Sequence, residues 1–156
     1  MLEHKFLGGA AKGPVPEEEY TLPIGKAEIV RRGRDVTLCG IGRMTHICLE
    51  AAQLLAAEEI DAEVVDVLTL APLDEATICD SVKRTHRLVV VDEDTPTAGM
   101  ARDIAARVAE QAFDWLDAPI RTVTAPEAPV PFAAVLENLY VPSAAKVAAA
   151  ARGIVG

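Results

Sequence analysis

Three carboxylates in a row, Asp92-Glu93-Asp94, close the apolar run Arg87-Leu88-Val89-Val90-Val91. Acids so placed could share a divalent cation, or burial could raise one of their pKa values enough for acid–base work. Strands also commonly end in solvated acids, and a solvated or interface role is the plainer reading. A second candidate is Gly40-Ile41-Gly42-Arg43, which lies between a strand-like run and a helical pattern, as a dinucleotide loop would. Position 45 is Thr where such a loop wants a third glycine for close helix packing, so a tight strand-to-helix turn is expected. The histidines are scattered: His4 near the start, His46 one turn into a helical pattern, His86 just before the apolar run. None neighbours a plausible nucleophile, and capping or surface roles suit them. No Gly-x-Ser-x-Gly elbow, His-x-x-x-His pair or P-loop occurs. No residue is therefore assigned to catalysis, cofactor binding or metal binding within this chain.

These residues need a frame to hold them. With 156 residues, 51% of them hydrophobic, the chain can bury one core and make one domain, with a short arm besides. Alanine supplies much of the apolar count, and aromatics at 4% are too scarce for a base-stacking surface. A formal charge of -9 disfavours nucleic acid and anionic membranes and makes a basic protein partner plausible, although solvated helix faces explain an acid excess as well. Cys39, Cys48 and Cys79 are odd in number and lack Cys-x-x-Cys spacing, which suits reduced core residues. Charged residues interrupt every apolar run before membrane-spanning length, and no signal peptide is apparent. A soluble, intracellular protein is expected.

Residues 1–25 read as an arm or linker, punctuated by Gly8-Gly9, Gly13-Pro14-Val15-Pro16 and Glu17-Glu18-Glu19, a texture that favours extended or turn-rich chain over helix. Residues 26–156 read as the domain. Ala27 to Arg32 and Val36 to Ile41, joined by Gly33-Arg34-Asp35, suggest a hairpin with the first strand antiparallel at the sheet edge. A helix at Met44 to Ala57, a strand at Ala62 to Leu68, and a helix at Asp74 to Lys83 follow. The unbroken run at Arg87 to Val91 reads as the central strand, buried on both faces, and Thr97 as the cap of a long helix from Ala98 to Asp114. A strand at Ile120 to Thr124, a proline-rich loop, a short helical turn at Ala134 to Asn138 and a terminal helix capped by Ser143 complete the chain. Strand and helix in alternation predict an α/β fold with a twisted, mainly parallel sheet and right-handed crossovers.

Several stretches carry a resemblance: Pro14-Val15-Pro16-Glu17-Glu18-Glu19-Tyr20-Thr21-Leu22-Pro23-Ile24-Gly25-Lys26-Ala27, Asp35-Val36-Thr37-Leu38, Ala62-Glu63-Val64-Val65-Asp66-Val67-Leu68-Thr69-Leu70-Ala71-Pro72-Leu73-Asp74, Phe113-Asp114-Trp115-Leu116-Asp117-Ala118-Pro119, and Pro129-Val130-Pro131-Phe132. In order and spacing they resemble the carboxyl-terminal domain of the beta subunit of thiamine-dependent 2-oxo acid dehydrogenases, the pyruvate, branched-chain 2-oxo acid and acetoin enzymes, within the transketolase C-terminal superfamily. The likeness runs from about His4 to the last residue. It implies a three-layer α/β/α domain on a five-stranded, mainly parallel sheet with one antiparallel edge strand. It further implies oxidative decarboxylation of a 2-oxo acid and transfer of the acyl group to lipoyl by the full complex, with thiamine diphosphate and Mg held by other domains and none in this chain alone. The chain would then be an expressed domain or a split subunit.

The partners so implied are an alpha subunit and a second beta subunit, in a heterotetramer, and the basic peripheral subunit-binding domain of the lipoyl acyltransferase component. In that family docking uses an acid in the segment matching Leu116 to Pro119 and the terminal carboxylate, which carries over to Asp117 and Gly156. The plainer reading of Asp117 is a solvated acid at a helix end before a proline. The location would be bacterial cytoplasm or mitochondrial matrix. A rival reading remains open: a free-standing small-ligand or nucleotide binder using a cleft among Gly40 to Arg43, Thr69 to Pro72 and Glu93 to Gly99.

Overall fold

The computed structural model describes residues 4–5, 7–10 and 12–156. The rest of the expected arm, residues 1–3, 6 and 11, lies outside the described residues. Leu7–Ala10 (α1) makes one helical turn, the Leu7 N–H donating to the His4 carbonyl at 3.0 Å, where a helix-free arm is expected. Glycine opposes long helices but tolerates a single turn. Residues 12–24 then run without helix or strand, largely exposed.

Five strands follow: β1 (Glu28–Arg31), β2 (Val36–Gly40), β3 (Ala62–Asp66), β4 (Leu88–Val91) and β5 (Arg121–Val123). Their order in the sheet is β1-β3-β2-β4-β5, with β1 antiparallel to β3 and every other pairing parallel. Helices α2 (Arg43–Ala56), α3 (Glu75–Thr85), α4 (Met100–Ala112), α5 (Ala134–Tyr140) and α6 (Ala144–Val155) complete the set, with a 3-10 turn at Phe113–Trp115. Alternation along each strand divides the core into two. Val36, Leu38, Val64, Val89 and Val91 face α2 and α6, while Cys39, Val65, Leu88 and Val90 face α3 and α4. This is the expected three-layer α/β/α arrangement. All three cysteines are free and buried, and burial pushes the Cys39 thiol up to about 12.

Three expectations are corrected. The hairpin does not form: β1 pairs with β3, and the connection after it crosses beneath the start of β3 to reach β2. Burial decides this. Every residue of β2 is buried and takes a parallel neighbour on each side, whereas β1 alternates between exposed and half-buried, as an edge strand does. The crossing is tight. The Arg34 and Asp35 amides donate to the Asp61 carbonyl at 2.8 and 2.9 Å, and a Cβ on Gly33 would stand 2.2 Å from backbone of Ala62. Second, β4 lies between β2 and β5, so β2 holds the centre; β4 is buried on both faces because α6 covers it as well as α3 and α4. Third, Thr97 does not cap α4. The N-cap is Gly99, whose Cβ would meet the Thr95 carbonyl at 2.3 Å.

The other caps are where expected. Asp74 accepts from the Thr77 amide at the start of α3, and Ser143 from the Lys146 amide at the start of α6. One buried polar cluster links the layers: Glu63 on β3 accepts from Ser81 at 2.6 Å and from Arg84, and Thr37 bonds both Ser81 (2.7 Å) and Thr85 (2.6 Å). Each buried group has a partner, as a low-dielectric interior demands. Among the described residues no helix is long and apolar enough to cross a membrane.

Candidate functional site

A parallel sheet has two ends with different chemistry, and this chain puts titratable groups at both. At the carboxyl end the three acids after β4 are divided among three tasks. Asp92, 7% exposed, turns back to accept from the Ala101 amide in the first turn of α4 and from the Asp94 amide at 3.2 Å. It does the capping that Thr97 does not. Burial raises its pKa, only partly opposed by these two bonds. Glu93 meets His4 Nε2 at 2.9 Å, and Asp94 accepts from the Thr95 amide at 2.7 Å. The described residues contain no group of three His, Cys, Asp or Glu side chains placed to hold a metal ion.

The glycine turn before α2 is equally occupied. A Cβ on Gly40 would stand 2.7 Å from backbone of Thr45, so that glycine serves the close approach of strand and helix. Thr45, where a third glycine would stand, donates its hydroxyl to Asp66 at 2.8 Å. Burial raises the Asp66 pKa, a shift the Thr45 bond only partly offsets. A carboxylate tied to the first turn of α2 disfavours a phosphate at this turn.

The third loop of the rival cleft, Thr69 to Pro72, is held by the chain's own arm. The Gly25 amide donates to Thr69 Oγ1 at 3.0 Å, the Ala27 amide to Asp74 at 3.1 Å, and a Cβ on Gly25 would meet Pro72 at 2.9 Å. Burial tends to raise the Asp74 pKa, yet the bonds from Ala27 and Thr77, helped by Lys26 at 3.8 Å, hold it below the usual carboxylate range.

The amino end is built differently. Helices that return from parallel strands finish there, so α2, α3, α4 and α6 all bring their C-termini, with the negative ends of their dipoles, to one edge. Arg87, the residue before β4, gathers this edge. Its Nε donates to the Ile154 carbonyl at 2.8 Å, its Nη1 to the Asp35 carbonyl at 3.3 Å, and its Nη2 stands 3.9 Å from Asp117 Oδ2. The Asp117 amide donates in turn to the His86 carbonyl at 2.9 Å. One guanidinium thus ties Asp117 to the last turn of α6, two residues before Gly156. Asp117 keeps 60% of its side chain in solvent, and Gly156 is exposed.

Beside Asp117 the chain exposes aromatics. Phe113 is 72% and Trp115 47% exposed, and the Trp115 ring stacks on His86 with centroids 6.2 Å apart. Asp117 and Gly156 are legible in the sequence only through the family resemblance. Arg87 was missed, because its acceptors come from residues 35, 117 and 154 and its only local signal is a cation before an apolar run.

Comparison with known proteins agrees with this architecture. The family model described as Transketolase, C-terminal domain matches residues 25–147. The chain is 55% identical over 150 residues to the beta subunit of acetoin:2,6-dichlorophenolindophenol oxidoreductase of Cupriavidus necator, covering 96% of this chain and 44% of that subunit. It is 42% identical over 154 residues to the beta subunit of the pyruvate dehydrogenase E1 component of Rhizobium meliloti, covering 99% of this chain and 34% of that subunit. Among solved structures, an inactive beta4 tetramer of a split gene transketolase superposes with a TM-score of 0.74 at 28% identity, over 94% of this chain and 46% of that one. The chain spans less than half the length of these relatives. It belongs to the transketolase C-terminal domain family and corresponds to that domain in the beta subunits of 2-oxo acid dehydrogenases.

Proposed function

We propose that this chain is the assembly and docking domain of a 2-oxo acid dehydrogenase beta subunit, with residues 1–25 as its joining arm and residues 26–156 as the domain. In this reading it takes no chemical step itself. Other domains hold thiamine diphosphate and Mg, and the full complex decarboxylates pyruvate or a related 2-oxo acid and passes the acyl group to lipoyl, in bacterial cytoplasm or mitochondrial matrix. Asp117 and Gly156 face the basic peripheral subunit-binding domain of the acyltransferase component. The observation that carries this reading is the gathering of Asp117 and the end of α6 on Arg87, at an edge where four helix C-termini already favour a cation.

A second surface suits the alpha subunit and the second beta subunit. Helix α5 buries none of its residues, and Phe132, Val135, Leu136 and Leu139 stand together in exposed chain, an apolar surface of the kind that assembly covers. No particular observation favours the free-standing ligand binder, whose three loops are taken up by caps, turns and the arm.

The test is to titrate Asp117→Lys against a recombinant peripheral subunit-binding domain at low salt. Reversing this charge is expected to weaken binding by about tenfold, mostly through a slower association rate. Unchanged binding would remove Asp117 from the docking face.

A further inference from the structure

We propose that Trp115 and Phe113 form an aromatic ledge on the docking face that receives a Lys or Arg side chain of the partner, its charge met by Asp114 and Asp117. The inference rests on the docking reading above and adds the apolar half of the surface that the carboxylates alone do not supply.

Aromatic residues are few in this chain, and Trp115 is its sole tryptophan. Yet Phe113 and Trp115 belong to neither core and stand exposed in a single 3-10 turn. A fold that leaves its largest apolar side chains in water next to an exposed acid presents an anchor of the sort that dominates interfaces. The ledge is held rigid from behind. His86, the C-cap of α3, takes φ +60, a left-handed conformation that glycine would adopt with less strain. Its imidazole does what glycine could not: Nδ1 lies 2.9 Å from the Trp115 carbonyl, and the ring stacks on the indole at an interplanar angle of 21°. With His86 against it, Trp115 is pre-organised and still half exposed, so a partner loses little entropy in using it.

Charge selects the occupant. Asp114 lies between the two aromatics and pairs with no cation among the described residues, Asp117 follows them, and the carbonyls ending α3, α4 and α6 point the same way. The nearby cation, Arg87, is committed to the Asp35 and Ile154 carbonyls and to Asp117. An incoming ammonium or guanidinium would find ring faces, the cation-free Asp114 carboxylate and the exposed Asp117 carboxylate together, the setting in which cation–π contact adds to ion pairing.

The chain's single tryptophan reports on its own site. Titration with a tryptophan-free recombinant peripheral subunit-binding domain should change Trp115 emission, with the same midpoint that calorimetry gives. Trp115→Ala should weaken binding about tenfold, and Phe113→Ala, at a position too exposed to threaten folding, should weaken it several-fold. At about 0.5 M salt, where screening acts within a few ångströms, the loss from Asp117→Asn should shrink while the loss from Trp115→Ala persists. If both aromatic variants bind within about twofold of the parent while Asp117→Lys does not bind, the docking reading stands and the ledge is overturned. If the parent does not bind the basic domain at all, both fall. If Trp115 emission instead follows the chain's own concentration and sedimentation shows a dimer, a second copy covers the ledge and the proposal is overturned.

Discussion

The acids that follow β3 and β4 and those in and just after the 3-10 turn lie at opposite ends of this sheet and are used in opposite ways. At the carboxyl end, where open α/β sheets usually keep their ligands, Asp66, Asp74, Asp92 and Asp94 accept from Thr45, Ala27, Ala101 and Thr95 of their own chain. Those carboxylates are spent on holding helices and the arm in place. At the amino end, Asp117 keeps most of its side chain in water and Asp114 pairs with nothing among the described residues, while helix C-termini add to the negative field. Acids bonded internally are committed to the fold, and acids left facing solvent beside like-signed dipoles are available to a cationic partner. On the proposed docking reading, proximity to a strand's carboxyl end is a poor guide to function in this domain.

The strongest way to break this contrast is at Arg87. Replacing it by Gln removes the charge that the Ile154 carbonyl, the Asp35 carbonyl and Asp117 share. The expected loss is about 3 kcal/mol of folding stability, from charged hydrogen bonds to two partly buried carbonyls, together with weaker docking. Chemical denaturation and titration of the same sample measure both. Weaker folding with intact docking would separate the guanidinium from the docking face.

At the other end the contrast predicts stability effects without docking effects. Asp74→Ala deletes the α3 N-cap and the acceptor of the Ala27 amide, and should cost about 1–2 kcal/mol near neutral pH. The Asp74 pKa is lowered in the folded chain, so its contribution is complete above the unfolded carboxylate pKa and fades as pH falls through the lower folded value. Parent and variant should therefore converge in acid, and affinity for the basic domain should not change. A docking defect in Asp74→Ala would show the two ends to be coupled.

How much of this was legible in the sequence follows from how local each determinant is. Strand and helix alternation shows in the hydrophobic period, and the Asp74 and Ser143 caps show because a cap and its amide lie three residues apart. The β1 to β3 pairing does not show, because a strand's partner is set by which strands must be buried on both faces. Thr97 was a reasonable cap by type and position, yet Asp92 takes the Ala101 amide from nine residues upstream, and only Gly99 hinted that backbone passes close there. The proposed docking face comes from family resemblance alone. Its physical basis, one arginine binding three segments, is nonlocal.

The smallest predicted effect is the sharpest on sign. Burial raises the Asp66 pKa, so the folded chain holds that proton more tightly than the unfolded chain, and stability falls as pH rises from the unfolded carboxylate pKa through the folded one. Asp66→Asn keeps an oxygen to accept from Thr45 and removes the buried charge. It should raise the melting temperature by about 2 °C near neutral pH, with the advantage vanishing below about pH 4. Were this carboxylate a working group of a ligand site, it would be kept at that energetic cost for chemistry, and the variant would be more stable but lose a ligand. On the present reading it gains stability and loses nothing: affinity for the basic domain, measured at the far end of the sheet, stays that of the parent. A stabilised Asp66→Asn that no longer supports assembly with its partner subunits would move the functional surface back to the carboxyl end.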